Sequence, residues 1–359
     1  MSIEKNRFTY IDIVKSLTML LIIWAHIRLG DRSNAFAYAF HIPMFFFLSG
    51  MVFNKQRYSN FRDFCKKKMN SLLIPYLIFS IATWIFWAVF SYFAHIEVKS
   101  YIMPLLQTFL AQGSAGFLVH NVPLWFVPCL FVIEMIFWFL SYLSNSKILL
   151  FSFLLAALSF SLINYCTIVP VTLTPWSLDV ALLGIPFYAA GYLLVTKVGH
   201  VKLQEVVLCN SIFSVFTIII CFILVYVGSG YNGSISFGHA DLGRNVFVTY
   251  SCAFIGIVMM LTSCILVSKC DLKYRGLEKY LEMIKWFGRN SFYAMSIHKP
   301  LLGFSLIFVD AIFKCGKYKV SDYTTYSMAA FVITLLSTII GIYLINLLLT
   351  KCKSINVQK

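Results

Sequence analysis

Tyr10-Ile11-Asp12-Ile13-Val14-Lys15-Ser16-Leu17-Thr18-Met19-Leu20-Leu21-Ile22-Ile23-Trp24-Ala25-His26-Ile27-Arg28 decides the class of this chain. About 20 predominantly apolar residues suffice to cross a bilayer as a helix, and this run, read as a span over 11–28, is of that length. Yet it holds Asp12, Lys15 and His26. Ionisable groups inside a span cost several kcal/mol and mark function by default. Lys15 and His26 stand eleven residues apart, about three turns, so they share one helix face roughly 16 Å apart along the axis. An Asp12–Lys15 pair and a hydrogen-bonded buried histidine would explain them structurally. Two ionisable groups on one buried face favour the functional reading.

The rest of the composition agrees. Hydrophobic residues make up 60% of the 359, charged residues 12%, and mean hydropathy is +0.82; soluble domains run about 25% charged. With 35 Phe, 20 Tyr and 7 Trp against 14 acidic residues, the chain cannot cover itself in water. It reads as an all-α, polytopic membrane protein. The net charge of +15 comes from short Lys/Arg clusters between apolar runs, a pattern of cytoplasmic loops rather than of a nucleic-acid surface. The 10 cysteines show no CxxC and no Cys/His metal spacing, so no metal is expected.

Ten apolar runs are long enough to span: 11–28, 37–53, 72–94, 124–143, 148–168, 178–196, 205–228, 244–268, 289–313 and 325–350. The segment 101–111 is too short and is expected at the surface or re-entrant. Lys5 and Arg7 precede the first run as in a signal peptide, but no small-residue cleavage site follows, so the helix is read as retained. Alternating the segments leaves 20 Lys/Arg inside and 7 outside, which predicts both termini in the cytoplasm. The expectation is a single transmembrane domain over 1–359 without a fused soluble domain.

The second run opens Phe40-His41-Ile42-Pro43-Met44-Phe45-Phe46-Phe47-Leu48-Ser49-Gly50. With so short a connection from the first run, His41 is expected beside His26 on the outer side, or else as an interfacial cap at the Pro43 helix start. Glu134 and His298 lie within later runs and can pair with each other, with His26, or within a structural network. Trp125, Trp176 and Asp179 face the outer side, as do His239, Asp241 and Arg244. Carboxylates and indoles suit a sugar, although tryptophan is equally the interfacial belt residue. Arg289 to Ser291 are read as opening the ninth run, where Arg and an Asn/Ser cap can meet an anion or simply cap the helix.

Taken together these stretches resemble acyltransferase family 3 membrane proteins. Lys15, ten residues, then His26 is similar to the family's basic residue–ten–His signature, and 40–50 resembles its FH…P…FF…SG segment. Pro123-Leu124-Trp125-Phe126, Pro175-Trp176-Ser177-Leu178-Asp179 continuing through Pro186 to Tyr192, and Gly288-Arg289-Asn290-Ser291 through His298 also match. The nearest look is to fucose and capsular-polysaccharide O-acetyltransferases. The resemblance implies a multi-pass protein of the bacterial cytoplasmic membrane. It implies transfer of an acyl group, usually acetyl, from cytoplasmic acyl-CoA to a hydroxyl of a cell-surface glycan or its lipid-linked precursor.

Read onto that chemistry, His26 is the general base or acyl acceptor, with His41 assisting. Lys15, Lys68 and Arg289 meet the phosphates of acetyl-CoA, and Trp125, Trp176 and Asp179 meet the acceptor. Partners beyond these are membrane lipids and a second copy of the chain. The family's Arg-x-x-Arg before the third helix is Lys68 and Ser71 here, so bidentate phosphate binding is lost and Lys66 and Lys67 are its substitutes; an ordinary cytoplasmic loop explains the cluster equally. The competing reading is a proton-coupled transporter relaying through His26, Glu134 and His298, against which no paired interrupted helices are evident in two halves. A non-catalytic partner in a polysaccharide assembly complex is a third.

Overall fold

The computed structural model describes residues 8–27, 30–113, 116–165, 174–273, 278–313 and 324–357. Fifteen α-helices follow in order among them: α1 Thr9–Ile27, α2 Asp31–Tyr38, α3 His41–Met51, α4 Phe61–Lys68, α5 Ile74–Phe93, α6 Ile102–Leu110, α7 Phe126–Leu140, α8 Asn145–Tyr165, α9 Leu178–Lys197, α10 His200–Cys209, α11 Ser211–Asn232, α12 Val246–Lys273, α13 Glu278–Arg289, α14 Ser291–Phe313 and α15 Thr324–Val357. No strand occurs among the described residues. Helices satisfy every backbone group within one segment, which is what a bilayer demands.

Nine helices among the described residues are long and apolar enough to cross a membrane. Eight of the ten sequence runs match one each, and α4 joins α5 through a π-helical turn, Met69–Leu73, to make another. The exception is the run 37–53, which is broken into α2 and α3. The break falls at Ala39–Phe40, where Phe40 leaves helical geometry with φ −143°. At 11 residues, α3 rises only about 16 Å, too short to cross alone. Broken backbone at membrane depth is tolerated where protein covers it, and Phe40, His41, Met44 and Phe46 are all buried. The short α6 lies with Ile102, Met103, Leu106 and Phe109 outward.

Burial sorts the helices into two layers. In the spanning stretches of α1, α7, α9 and α12, 56–72% is buried, against 17–22% for α5, α8, α11 and α15, with α14 between at 33%. The first group forms the centre with α3; the second turns its apolar side chains outward to lipid. The α3–α9 contact is backbone on backbone. A Cβ on Gly50 would overlap the Tyr188 carbonyl, and one on Gly191 would overlap the Phe47 carbonyl. Small residues that let backbones touch are how helices associate without a hydrophobic driving force.

One further seat sets the height of the functional residues. Gly288, near the end of α13, lies against the α1 backbone from Asp12 to Ser16, where a Cβ would overlap the Asp12 carbonyl. From that seat α14 runs alongside α1 in the same direction.

Candidate active site

Ten residues beyond Gly288, α14 presents His298; ten beyond Ser16, α1 presents His26. Equal lengths of parallel helix bring the imidazoles face to face, with ring centroids 5.4 Å apart and planes 33° apart. His298 is fully buried. Its Nδ1 lies 3.0 Å from the Ala294 carbonyl and 2.9 Å from that of Met295. Only an N–H can bond two carbonyl oxygens, so Nδ1 carries the proton and Nε2 keeps a lone pair. That Nε2 is buried with no hydrogen-bond partner among the described residues.

His41 is held at the start of α3. Its Nδ1 donates to the Ala37 carbonyl at 2.7 Å and its ring packs edge-on against Tyr38 at 4.9 Å. It therefore takes up a carbonyl at the end of α2, splicing the α2–α3 break, a capping role histidine often fills. His26 packs its ring against that of His298.

At the basic end of the molecule a cavity of about 1010 Å³ opens between the start of α1, residues 51–57, the end of α9 and the start of α10. Lys15, Lys55 and Arg57 line it with Asp12, Gln56 and His200. His200 accepts the Tyr10 hydroxyl at Nδ1 (2.7 Å) and stacks on Phe8 at 4.1 Å. Burial lowers its pKa, which keeps the ring neutral. Three cations against one carboxylate give the cavity an excess of positive charge. Lys15 thus lines the cavity while His26 stands three turns above it on the same helix.

Two other expected cofactor residues are engaged elsewhere. Lys68, at the end of α4, donates to Glu134 of α7 at 2.7 Å, and the Tyr188 hydroxyl faces the same carboxylate. Of the partners considered for Glu134, the structure gives it Lys68. Arg289 does not open the ninth span: it ends α13 and pairs with Glu282 at 3.4 Å. Asn290 breaks the chain between α13 and α14, donating to the Trp286 carbonyl and accepting from Asn346.

The three expected acceptor residues gather where α6 exits and α9 begins, each with a protein partner. Trp176 Nε1 donates to the Phe109 carbonyl at 3.0 Å and Asp179 accepts from Thr174 Oγ1 at 2.7 Å. Trp125 is buried, wedged against Gly113 and Gly238.

The sequence reading passed over His120 and Asn121. Pro300 inside α14 cannot donate to the Ser296 carbonyl one turn back; Asn121 Nδ2 takes that carbonyl at 2.6 Å. The loop carrying His120 is thereby latched to α14 two residues from His298. A helix-internal proline with no donor nearby was the available signal. Among the described residues no three His, Cys, Asp or Glu side chains group as a metal site requires.

No curated protein and no solved structure matches the chain. A family model described as an acyltransferase domain, Acyl_transf_3, matches residues 8–347, a stretch that takes in the basic cavity, the His26–His298 pair and the nine spanning helices but for the end of α15. The chain belongs to acyltransferase family 3.

Proposed function

We propose that this membrane acyltransferase moves an acetyl group from acetyl-CoA to a hydroxyl of a cell-envelope glycan or its lipid-linked precursor in the bacterial cytoplasmic membrane. The observation that carries the reading is the basic cavity with Lys15 in its wall, three turns below the facing imidazoles on one helix. Phosphates of the donor suit Lys15, Lys55 and Arg57, and the flexible thioester arm suits the rise towards His26. His26 accepts the proton of the acceptor hydroxyl as its oxygen attacks the thioester carbonyl. The C–S bond then breaks, and the proton passes to the departing CoA thiolate. His298, its Nδ1 proton fixed by two carbonyls, supplies the second lone pair of the pair. His41 is a positioning residue through the α2–α3 break. The charge bias supports a cytoplasmic side for the basic cavity.

The test is transfer from radiolabelled acetyl-CoA to envelope glycan by membranes carrying the protein. Label in the glycan with wild type and none with His26→Gln supports the reading. Equal label with both overturns it.

A further inference from the structure

A second cavity, of about 710 Å³, lies between the far end of α5, the segment 96–100, α6, residues 116–120 and α14. That volume is within the usual span of small-molecule sites, roughly 300–1,000 Å³. Trp87, Phe90 and Phe304 supply aromatic wall; Ser91, Gln107 and His120 supply polar atoms. Ser91 Oγ, Gln107 Oε1 and His120 Nδ1 are each buried with no hydrogen-bond partner among the described residues, although Ser91 is only 1% and His120 4% exposed. An unpaired buried polar atom costs about 1–3 kcal/mol, so three lining one cavity point to a ligand that pairs them.

The hydrogen-bond chain behind His120 fixes what it offers. Thr108 Oγ1 donates to the Pro104 carbonyl at 3.3 Å, so the Ser80 hydroxyl, 3.1 Å away, donates to Thr108. Ser80 Oγ then accepts from His120 Nε2–H at 3.1 Å. Nδ1 is left as an acceptor. The cavity therefore offers acceptors for hydroxyl protons beside aromatic faces, the pattern a sugar ring satisfies with its O–H groups and its C–H face. Lys99 and Lys299 outnumber Glu97 in the same wall, which disfavours a metal cation. Lys299 follows His298 directly in the chain, and the Asn121 latch holds His120 to α14, so α14 carries both His298 and one wall of this cavity.

We infer that this cavity, rather than the Trp125–Trp176–Asp179 region, binds the acceptor sugar, with His120 Nδ1 and Gln107 Oε1 accepting its hydroxyl groups. The inference rests on the acyltransferase reading only for the word acceptor; sugar binding itself is independent of turnover.

The experiment titrates the full-length protein, reconstituted in lipid nanodiscs without donor, with methyl hexosides, methyl 6-deoxyhexosides and methyl N-acetylhexosaminides, following tryptophan fluorescence. Labelled acetyl-CoA turnover is measured on the same preparation. Saturable binding of at least one glycoside is expected. His120→Gln keeps the donor to Ser80 but lacks the Nδ1 acceptor, and should weaken binding about tenfold. His120→Asn places an amide oxygen near the Nδ1 position and should bind more tightly than the glutamine variant. Gln107→Leu should also weaken binding, and serves alone if the His120 variants fail to fold. No binding across the panel by wild type, or equal affinity of wild type, His120→Gln and Gln107→Leu, overturns the inference. Binding without acetyl-CoA turnover upholds the cavity and sinks the acetyltransfer reading; turnover without binding does the reverse.

Discussion

His26 and His298 stand with their rings 5.4 Å apart because Gly288 seats α13 on α1 at the level of Asp12 to Ser16, leaving equal lengths of helix to climb. With His26 as the base, His26→Gln should lose about 10²–10⁴-fold in turnover while reaching the membrane at normal levels. His298→Gln should lose at least tenfold. Measured rates within twofold of wild type for both variants would exclude the pair from the chemistry.

Lys15 lines the basic cavity, so if the cavity holds the donor, Lys15→Ala should raise the KM for acetyl-CoA more than it lowers kcat. A charge-assisted hydrogen bond is worth about 1.5–3 kcal/mol, roughly ten- to a hundredfold in affinity. Donor titrations of wild type and variant decide it; an unchanged KM would leave Lys15 with a structural role beside Asp12.

The Lys68–Glu134 pair predicts a non-additive pattern. Removing one partner of a buried ion pair costs about 3–5 kcal/mol; with the Lys68 side chain 20% exposed, the lower figure applies. Lys68→Met and Glu134→Leu should each lower the unfolding temperature in detergent, and the double variant should recover most of the loss. Additive losses would mean that the two side chains do not depend on each other.

Burial pushes the His120 imidazole down to about 4 from about 6.5 in the unfolded chain. Between those values the unfolded state binds the extra proton. The stability owed to neutral His120 is therefore whole above pH 6.5, is lost progressively as pH falls to 4, and changes no further below. The unfolding temperature of wild type should drop more steeply than that of His120→Gln over this window. Parallel curves would show that His120 takes up its proton without opposition from the fold.

The charge bias predicts opposite sides of the membrane for Asn60 and Ser234, both exposed. Cysteines introduced there should react with an impermeant maleimide from opposite faces of sealed vesicles, Asn60→Cys from the cytoplasmic one. Labelling from one face only would overturn the orientation and the side assigned to the donor.

Much of the architecture was legible because a spanning helix announces itself by length and hydropathy. Lys15 and His26 were legible for the same reason: both lie on one helix, where spacing alone fixes their relation. What the sequence hid lies between helices. The sequence offers His298 as one partner of His26, but nothing local chooses it over Glu134, since the link is the packing of Gly288 on α1. Glu134 looked available to a histidine until α4 delivered Lys68 to it. Arg289 was read into the ninth span because the polar break at Asn290 interrupts an otherwise continuous pattern for a single residue. The run 37–53 reads as one span, and its break at Ala39–Phe40 is visible only in the backbone turn that His41 holds.

The Gly288 contact also gives the site a mechanical tolerance. With no side chain between the two backbones, there is no compressible cushion, and helices transmit axial displacement along their length. A methyl group inserted at this point would act as a shim, shifting His298 along or away from α1 by a comparable amount at a distance of about 15 Å. Misplacement of a reacting group by 1 Å can cost about a hundredfold. The alignment of the two imidazoles is thus set at the far end of the helices, by a residue that touches neither of them.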